Sequence, residues 1–211
     1  MTIPSWPDVP SPPGWPQEPG WPYPPDRPTP VRQGPVLVPV VDLPGERTRQ
    51  PRRVLVSGPL DAATVVRVAA ELMELDGRSD DDVELVVNSD GGSLGDVLGL
   101  LDVIGSMRAR VATVCVGRAT GSAAVLVACG TGGRRAGAHA TMSLRAGAVE
   151  RLAGTAEAIR AQLDDLDHVR RQVVAALVRS TGRPAAELDH DLDAGPLLDR
   201  AQAIAAGLLD P

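Results

Sequence analysis

Two glycine-rich turns hold the residues that could do chemistry. The first, Asn88-Ser89-Asp90-Gly91-Gly92-Ser93, follows the apolar run Val83-Glu84-Leu85-Val86-Val87. The second, Gly117-Arg118-Ala119-Thr120-Gly121-Ser122, follows Thr113-Val114-Cys115-Val116. Both runs are rich in β-branched residues and read as buried strands, and each turn leads into a segment with helical composition. A strand that turns sharply into a helix leaves backbone N–H groups without intrahelical acceptors, aimed at whatever sits at the turn. Two such turns side by side make a two-donor oxyanion hole, the device that acyl transfer at a carbonyl requires. Hydrolysis there needs a nucleophile, a base to take its proton and a group to orient the base. Ser122 is the hydroxyl in place, although the ordinary role of a serine at a helix start is capping or solvation.

The other reactive residue types lead elsewhere. Cys115 and Cys129 stand in apolar contexts and read as buried small hydrophobes rather than a disulfide or metal pair. His139, His168 and His190 show no metal-ligand spacing, so no metal and no cofactor is expected, and each reads as a surface histidine. Asp90 is ordinary Asp-Gly turn chemistry. A carboxylate at that place would also oppose negative charge developing in an adjacent oxyanion hole. All 21 basic residues are arginine against 27 acidic ones, and a net charge of -6 argues against a nucleic-acid binder that relies on a basic surface. No apolar run approaches a membrane span, and the N-terminal segment has neither the basic nor the apolar region of a signal peptide, so a cytoplasmic protein is expected.

The elements that must position the two turns follow from periodicity. Residues 1–35 carry 13 of the 20 prolines and all four aromatic residues, Trp6, Trp15, Trp21 and Tyr23. This is a proline-rich, disordered tail, read as a flexible segment or as a ligand for a proline-reading groove. The folded part, 36–211, must build its core from Val, Leu, Ile, Ala and Met. Val36–Val41 reads as a short strand, and Arg53–Ser57 as the first core strand. Asp61 can cap a helix with Val65, Val68, Leu72 and Leu75 on one stripe, ending near Gly77. After the strand 83–88, Ser93 opens a helix with Leu94, Val97, Leu98, Leu101 and Ile104 inward. Strand 111–116 breaks at Gly117, a buried helix runs from Gly121 to Cys129, and a further strand lies within Arg134–Leu144. Thr155 starts the longest helix, to about Ser180, with Ile159, Leu163, Leu166, Val173 and Leu177 in one near-heptad stripe. Gly182 and Pro184 stop it. Two short helices, Pro184–Leu188 and Asp199–Ala206, and a last strand near Leu208 complete an α/β domain.

The two turns, with the tail Ala205-Ala206-Gly207-Leu208-Leu209-Asp210, resemble the Clp protease proteolytic-subunit family, the ClpP-like serine peptidases. That family's turns read Asn-Ser-Pro-Gly-Gly-Ser and Gly-x-Ala-Ala-Ser-Met-Gly-Ala. The resemblance implies a ClpP/crotonase-like spiral of ββα units, with the long helix as the handle that meets an opposing ring. The family's helix before the first core strand is expected to be reduced or missing, because Asp42–Pro51 is short for it.

Carried over by register, the nucleophile position falls on Gly121, four residues after Gly117 and nine before Gly130. The histidine position falls on Leu144 and the aspartate position on Gly195. The resemblance makes Gly92 N–H and Ser122 N–H the oxyanion pair. It therefore implies a catalytically inactive family member, an assembly or regulatory subunit in a homo- or hetero-oligomer, reaching a Clp ATPase through the complex. The family's unfoldase-receiving clefts include aromatic residues, whereas the matching strand here reads Glu84-Leu85-Val86-Val87. Two alternatives remain: an atypical serine endopeptidase that uses Ser122, and a crotonase-like acyl-CoA enzyme, which needs a carboxylate pair that Asp90 alone does not supply.

Overall fold

The computed structural model describes residues 52–146 and 153–211. The proline-rich tail, the expected strand at 36–41 and the expected loss of a helix before residue 51 lie outside the described residues.

Three strands lie side by side in parallel: β1 (Arg53–Ser57), β2 (Val83–Ser89) and β3 (Val111–Thr120). The crossovers between them are α1 (Ala62–Arg78) and α2 (Leu94–Ser106). After β3 come α3 (Ser122–Ala128), β4 (Arg134–Ala136) and β5 (Thr141–Ser143), and both strands pair parallel with β3. The handle α4 (Ala156–Thr181), α5 (Ala185–Ala194), β6 (Leu198–Asp199) and α6 (Arg200–Ala205) complete the chain, with β6 antiparallel to β5. This is an α/β fold, as the periodicity implies.

The helix starts follow their caps. Asp61 accepts from Thr64 N–H at 2.8 Å, Ser93 from Gly95 and Asp96, and Thr155 from Ala158. Each satisfies a donor that the first turn leaves without a partner. The α4 helix ends on Gly182 in the left-handed region (φ 71°). The α1 helix runs one residue past Gly77, because Arg52 reaches across to the carbonyls of Leu75 and Ser79 and satisfies its last turn.

The core is aliphatic. Val54, Val56, Leu72, Leu85, Val87, Leu100, Val111, Leu126, Met142, Leu177 and Leu208 are each at most 1 % exposed. All seven residues of α3 are buried, including Ser122. Leu100, which the stripe assigned to α2 omits, is fully buried, whereas Leu94, Leu98 and Leu101 are only partly so.

Three expectations are corrected. The strand that was to end at Gly117 continues to Thr120. Between Val87↔Cys115 and Ser89↔Ala119 the register shifts, so β3 bulges through Val116, Gly117 and Arg118 and resumes pairing. Gly117 takes φ 76° in that bulge. The single strand expected within 134–144 is two short ones. The last strand lies at Leu198–Asp199 rather than near Leu208, which is buried in the turn after α6.

Candidate functional site

The second turn is an elbow. Gly121 sits between β3 and α3 with φ 54° and ψ -125°, a region that an L-residue enters only with strain. Its N–H donates to the Ser143 carbonyl on β5 (2.9 Å), and its carbonyl accepts from Val125 N–H (3.1 Å) as α3 begins. The elbow is thus held by the sheet on one side and by the helix on the other. It carries no side chain.

The first turn packs directly against this elbow. Thr120 Oγ1 donates to the Asp90 carbonyl (2.9 Å), Leu60 N–H to the Gly91 carbonyl (3.0 Å), and Gly91 N–H to Ser89 Oγ (3.0 Å). Both glycines are required. A Cβ on Gly91 would lie 2.4 Å from the Thr120 carbonyl oxygen, and one on Gly92 2.0 Å from that of Leu60. The expectation that the two turns stand side by side is therefore met in the fold.

Ser122 does something that the sequence does not announce. It is the first residue of α3, with Gly121 as its N-cap, and its hydroxyl caps nothing in its own helix. Instead Ser122 Oγ accepts a hydrogen bond from Gly92 N–H at 2.8 Å, across 30 residues of chain. Ser122 is 1 % exposed. Among the described residues no histidine, arginine or carboxylate is hydrogen-bonded to it.

The other two positions singled out by register, Leu144 and Gly195, carry no ionisable group. Leu144 is buried in the core (2 % exposed) just after β5. Gly195 ends α5, and a Cβ there would stand 2.4 Å from the Asp191 carbonyl oxygen, so an aspartate cannot be introduced without moving the last turn of α5. Ser143 Oγ donates to the Gly195 carbonyl at 3.2 Å, which ties this end of α5 to β5.

An open cleft of about 740 Å³ lies next to the elbow, lined among others by Ser57, Asn88, Asp90, Arg118, His139 and Thr141. Ser122 is not among its lining residues. Asp90 and Arg118 form an ion pair across it at 3.0 Å, both largely exposed. The developing charge that Asp90 would oppose is therefore offset locally by Arg118, a partner that the sequence reading missed. The bulge at Gly117 brings Arg118 there, and no local pattern shows it.

His139, His168 and His190 are exposed. Cys115 and Cys129 are free and buried, and burial pushes the Cys115 thiol up to about 11 and raises that of Cys129, so both stay protonated near neutral pH. Among the described residues no group of three or more His, Cys, Asp or Glu converges on a metal position, and no helix is long and apolar enough to cross a membrane.

Arg134 ties the C-terminal segment to the sheet through both its guanidinium and its backbone. Arg134 donates through Nε to Asp210 (3.0 Å) and through one terminal nitrogen to the carbonyls of Ser180 (3.1 Å) and Gly207 (2.9 Å). Its backbone N–H reaches Asp210 at 2.8 Å. The bonds from Arg134 hold the Asp210 carboxyl below its ordinary value.

The chain is similar to known proteins of one family. A Clp protease family model matches residues 43–211. A Clp protease proteolytic subunit-like protein of Streptomyces coelicolor is 37% identical over 171 residues, covering 79% of this chain and 81% of its own. ATP-dependent Clp protease proteolytic subunit 1 of Nocardia farcinica is 33% identical over 161 residues (75% and 81% covered). The subunit of that name from Rhodococcus jostii is 30% identical over 169 (79% and 77%). With all of its described residues inside the matched region, the chain belongs to the Clp protease family.

Proposed function

We propose that this chain is a catalytically silent Clp proteolytic-subunit homologue, an assembly or regulatory subunit that joins active subunits or forms a ring of its own. One observation carries the reading: the elbow residue in register with the family's nucleophile is Gly121, held in the strained elbow conformation with no side chain to react. Leu144 and Gly195 at the other two register positions supply neither base nor orienter. Members of a catalytic triad act as a unit, so losing one costs nearly as much as losing all, on the order of 10⁴ to 10⁶ in rate.

The assembly role draws on the handle. Leu163 and Leu166 are 49% and 39% exposed on its outer half, an apolar stripe that nothing among the described residues covers. Family members generally assemble as oligomers with other subunits of the type, and a stripe of this kind suits a helix on a facing subunit. Contact with a Clp ATPase would come through the active partner subunits. On the strand where the family carries tyrosines, Glu84 is bridged by Arg53 and Arg135, so that surface is ionic rather than aromatic. A crotonase-like reading lacks its carboxylate pair, since Asp90 is engaged with Arg118.

The test is fluorophosphonate labelling and peptide hydrolysis by the isolated protein, beside recovery of the native complex from its own cell. No labelling, no cleavage above background and co-purification of active Clp subunits are expected. Labelling that disappears in Ser122→Ala would instead make Ser122 the nucleophile. A strict monomer at micromolar concentration, with and without partner subunits, would remove the assembly role.

A further inference from the structure

We infer that Ser122 is an internal plug: its hydroxyl occupies Gly92 N–H, so the oxyanion site is closed as well as lacking a nucleophile. The inference rests on the family reading in one respect, that the register makes Gly92 N–H an oxyanion donor.

The geometry leaves no room for a second acceptor on that donor. A backbone N–H carries one hydrogen, and Ser122 Oγ takes it at 2.8 Å, an ordinary strong N–H···O distance. The hydroxyl has little freedom to leave. Ser122 is 1 % exposed on a helix whose seven residues are all buried. The turn that carries Gly92 is held independently by Thr120 Oγ1, by Leu60 N–H and by the Arg118–Asp90 pair. Gly92 is an exposed residue, and Ser122 Oγ is the one acceptor bonded to its N–H among the described residues. In the family motif the residue after the nucleophile is methionine, whose side chain is a poor acceptor for an N–H. Serine at this position converts a hole that receives substrate into a turn that satisfies itself.

This changes what restoration of activity requires. A nucleophile at 121 and a histidine at 144 would face an occupied donor, and carbonyl oxygen stabilisation would be missing from the transition state. The plug must be removed as well.

The experiment uses the full chain. Amide exchange at Gly92 is compared in wild type, Ser122→Ala and Thr120→Val, the last removing a neighbouring bond of the same turn. Ser122→Ala is expected to speed Gly92 exchange by on the order of tenfold, the loss of one net hydrogen bond, while Thr120→Val leaves it protected. Unchanged exchange in Ser122→Ala, or equal release in Thr120→Val, overturns the plug. The second arm measures fluorophosphonate labelling of Gly121→Ser/Leu144→His with Ser122 present or replaced by Ala. In labelling, the serine oxygen bonds phosphorus, fluoride leaves, and the histidine takes the proton. Labelling at least ten times faster without Ser122 is expected; equal, measurable labelling with Ser122 retained overturns the blocking role. If neither variant labels while Ser122→Ala releases Gly92, the plug stands on the exchange result, and what fails is the two-residue restoration of the family site, which leaves the histidine without an orienter.

Discussion

The elbow and the outer half of the handle fail to match their surroundings in opposite ways. At the elbow the backbone is tightly built: the strained φ of Gly121 and the close-packed Gly91 and Gly92. Gly121 itself carries no side chain, and the hydroxyl of the next residue, Ser122, is bonded to Gly92 N–H. On the outer half of α4 apolar side chains are present, and nothing among the described residues covers them. Val173, Val174, Ala176 and Leu177 of the inner half are buried, while Leu163 and Leu166 of the same stripe stand out in solvent. At about 1.5 Å per residue the helix is about 39 Å long, and its outer turns project beyond the core they start from. Under the proposed function, the comparison separates an apolar surface open to a partner from an elbow that has its backbone shape and no side chain of its own.

Truncation should separate the two halves of the handle most sharply. Leu177→Ala removes a fully buried side chain and is expected to cost about 2–5 kcal/mol in denaturant unfolding. Leu163→Ala should change the stability of the isolated chain by no more than about 0.5 kcal/mol. Leu163→Asp with Leu166→Asp should abolish assembly in sedimentation with little change in melting temperature. Equal losses of stability from Leu177→Ala and Leu163→Ala would erase the distinction between core half and partner half.

The elbow sharpens the comparison through glycine. Gly121→Ser forces a side chain into φ 54°, ψ -125° and is expected to destabilise by about 1–3 kcal/mol. Gly99→Ala, inside α2 with open space around it, should stabilise by about 0.5–1 kcal/mol. Thermal unfolding of both variants measures the difference. A neutral Gly121→Ser would mean that the elbow is relaxed and its shape is not being maintained against strain.

The smallest effect concerns acid. Asp210 has its folded-state value lowered from 3.8 by the bonds from Arg134. A depressed carboxyl contributes stability that is present above the unfolded value and lost as pH falls through the folded one. The melting-temperature advantage of wild type over Asp210→Asn should therefore be constant above about pH 5 and shrink progressively below pH 4. The Asp210 side chain is 41% exposed, so solvent screening keeps this contribution to about 1 kcal/mol or less. An advantage that grows with acidification would contradict the ion-pair account.

Local chemistry made much of the fold legible. Asp61, Ser93 and Thr155 announced their helices because a cap satisfies donors within its own first turn. Strands β1, β2 and the start of β3 announced themselves by β-branched composition, and the absence of aromatic residues after Tyr23 dictated an aliphatic core. The fold class and the two glycine turns were readable as well. Other features depended on contacts between distant residues. A heptad stripe shows that one face of α4 is apolar, but not whether that face meets its own core or another molecule. The continuation of β3 past Gly117 required a bulge set by pairing with β2, and β6 formed at Leu198 because β5 offered it an antiparallel edge. Ser122 is the clearest case. Its sequence context shows a serine at a helix start, whereas the direction of its hydroxyl was decided by the parallel β2–β3 pairing that brings Gly92, 30 residues earlier, within 2.8 Å.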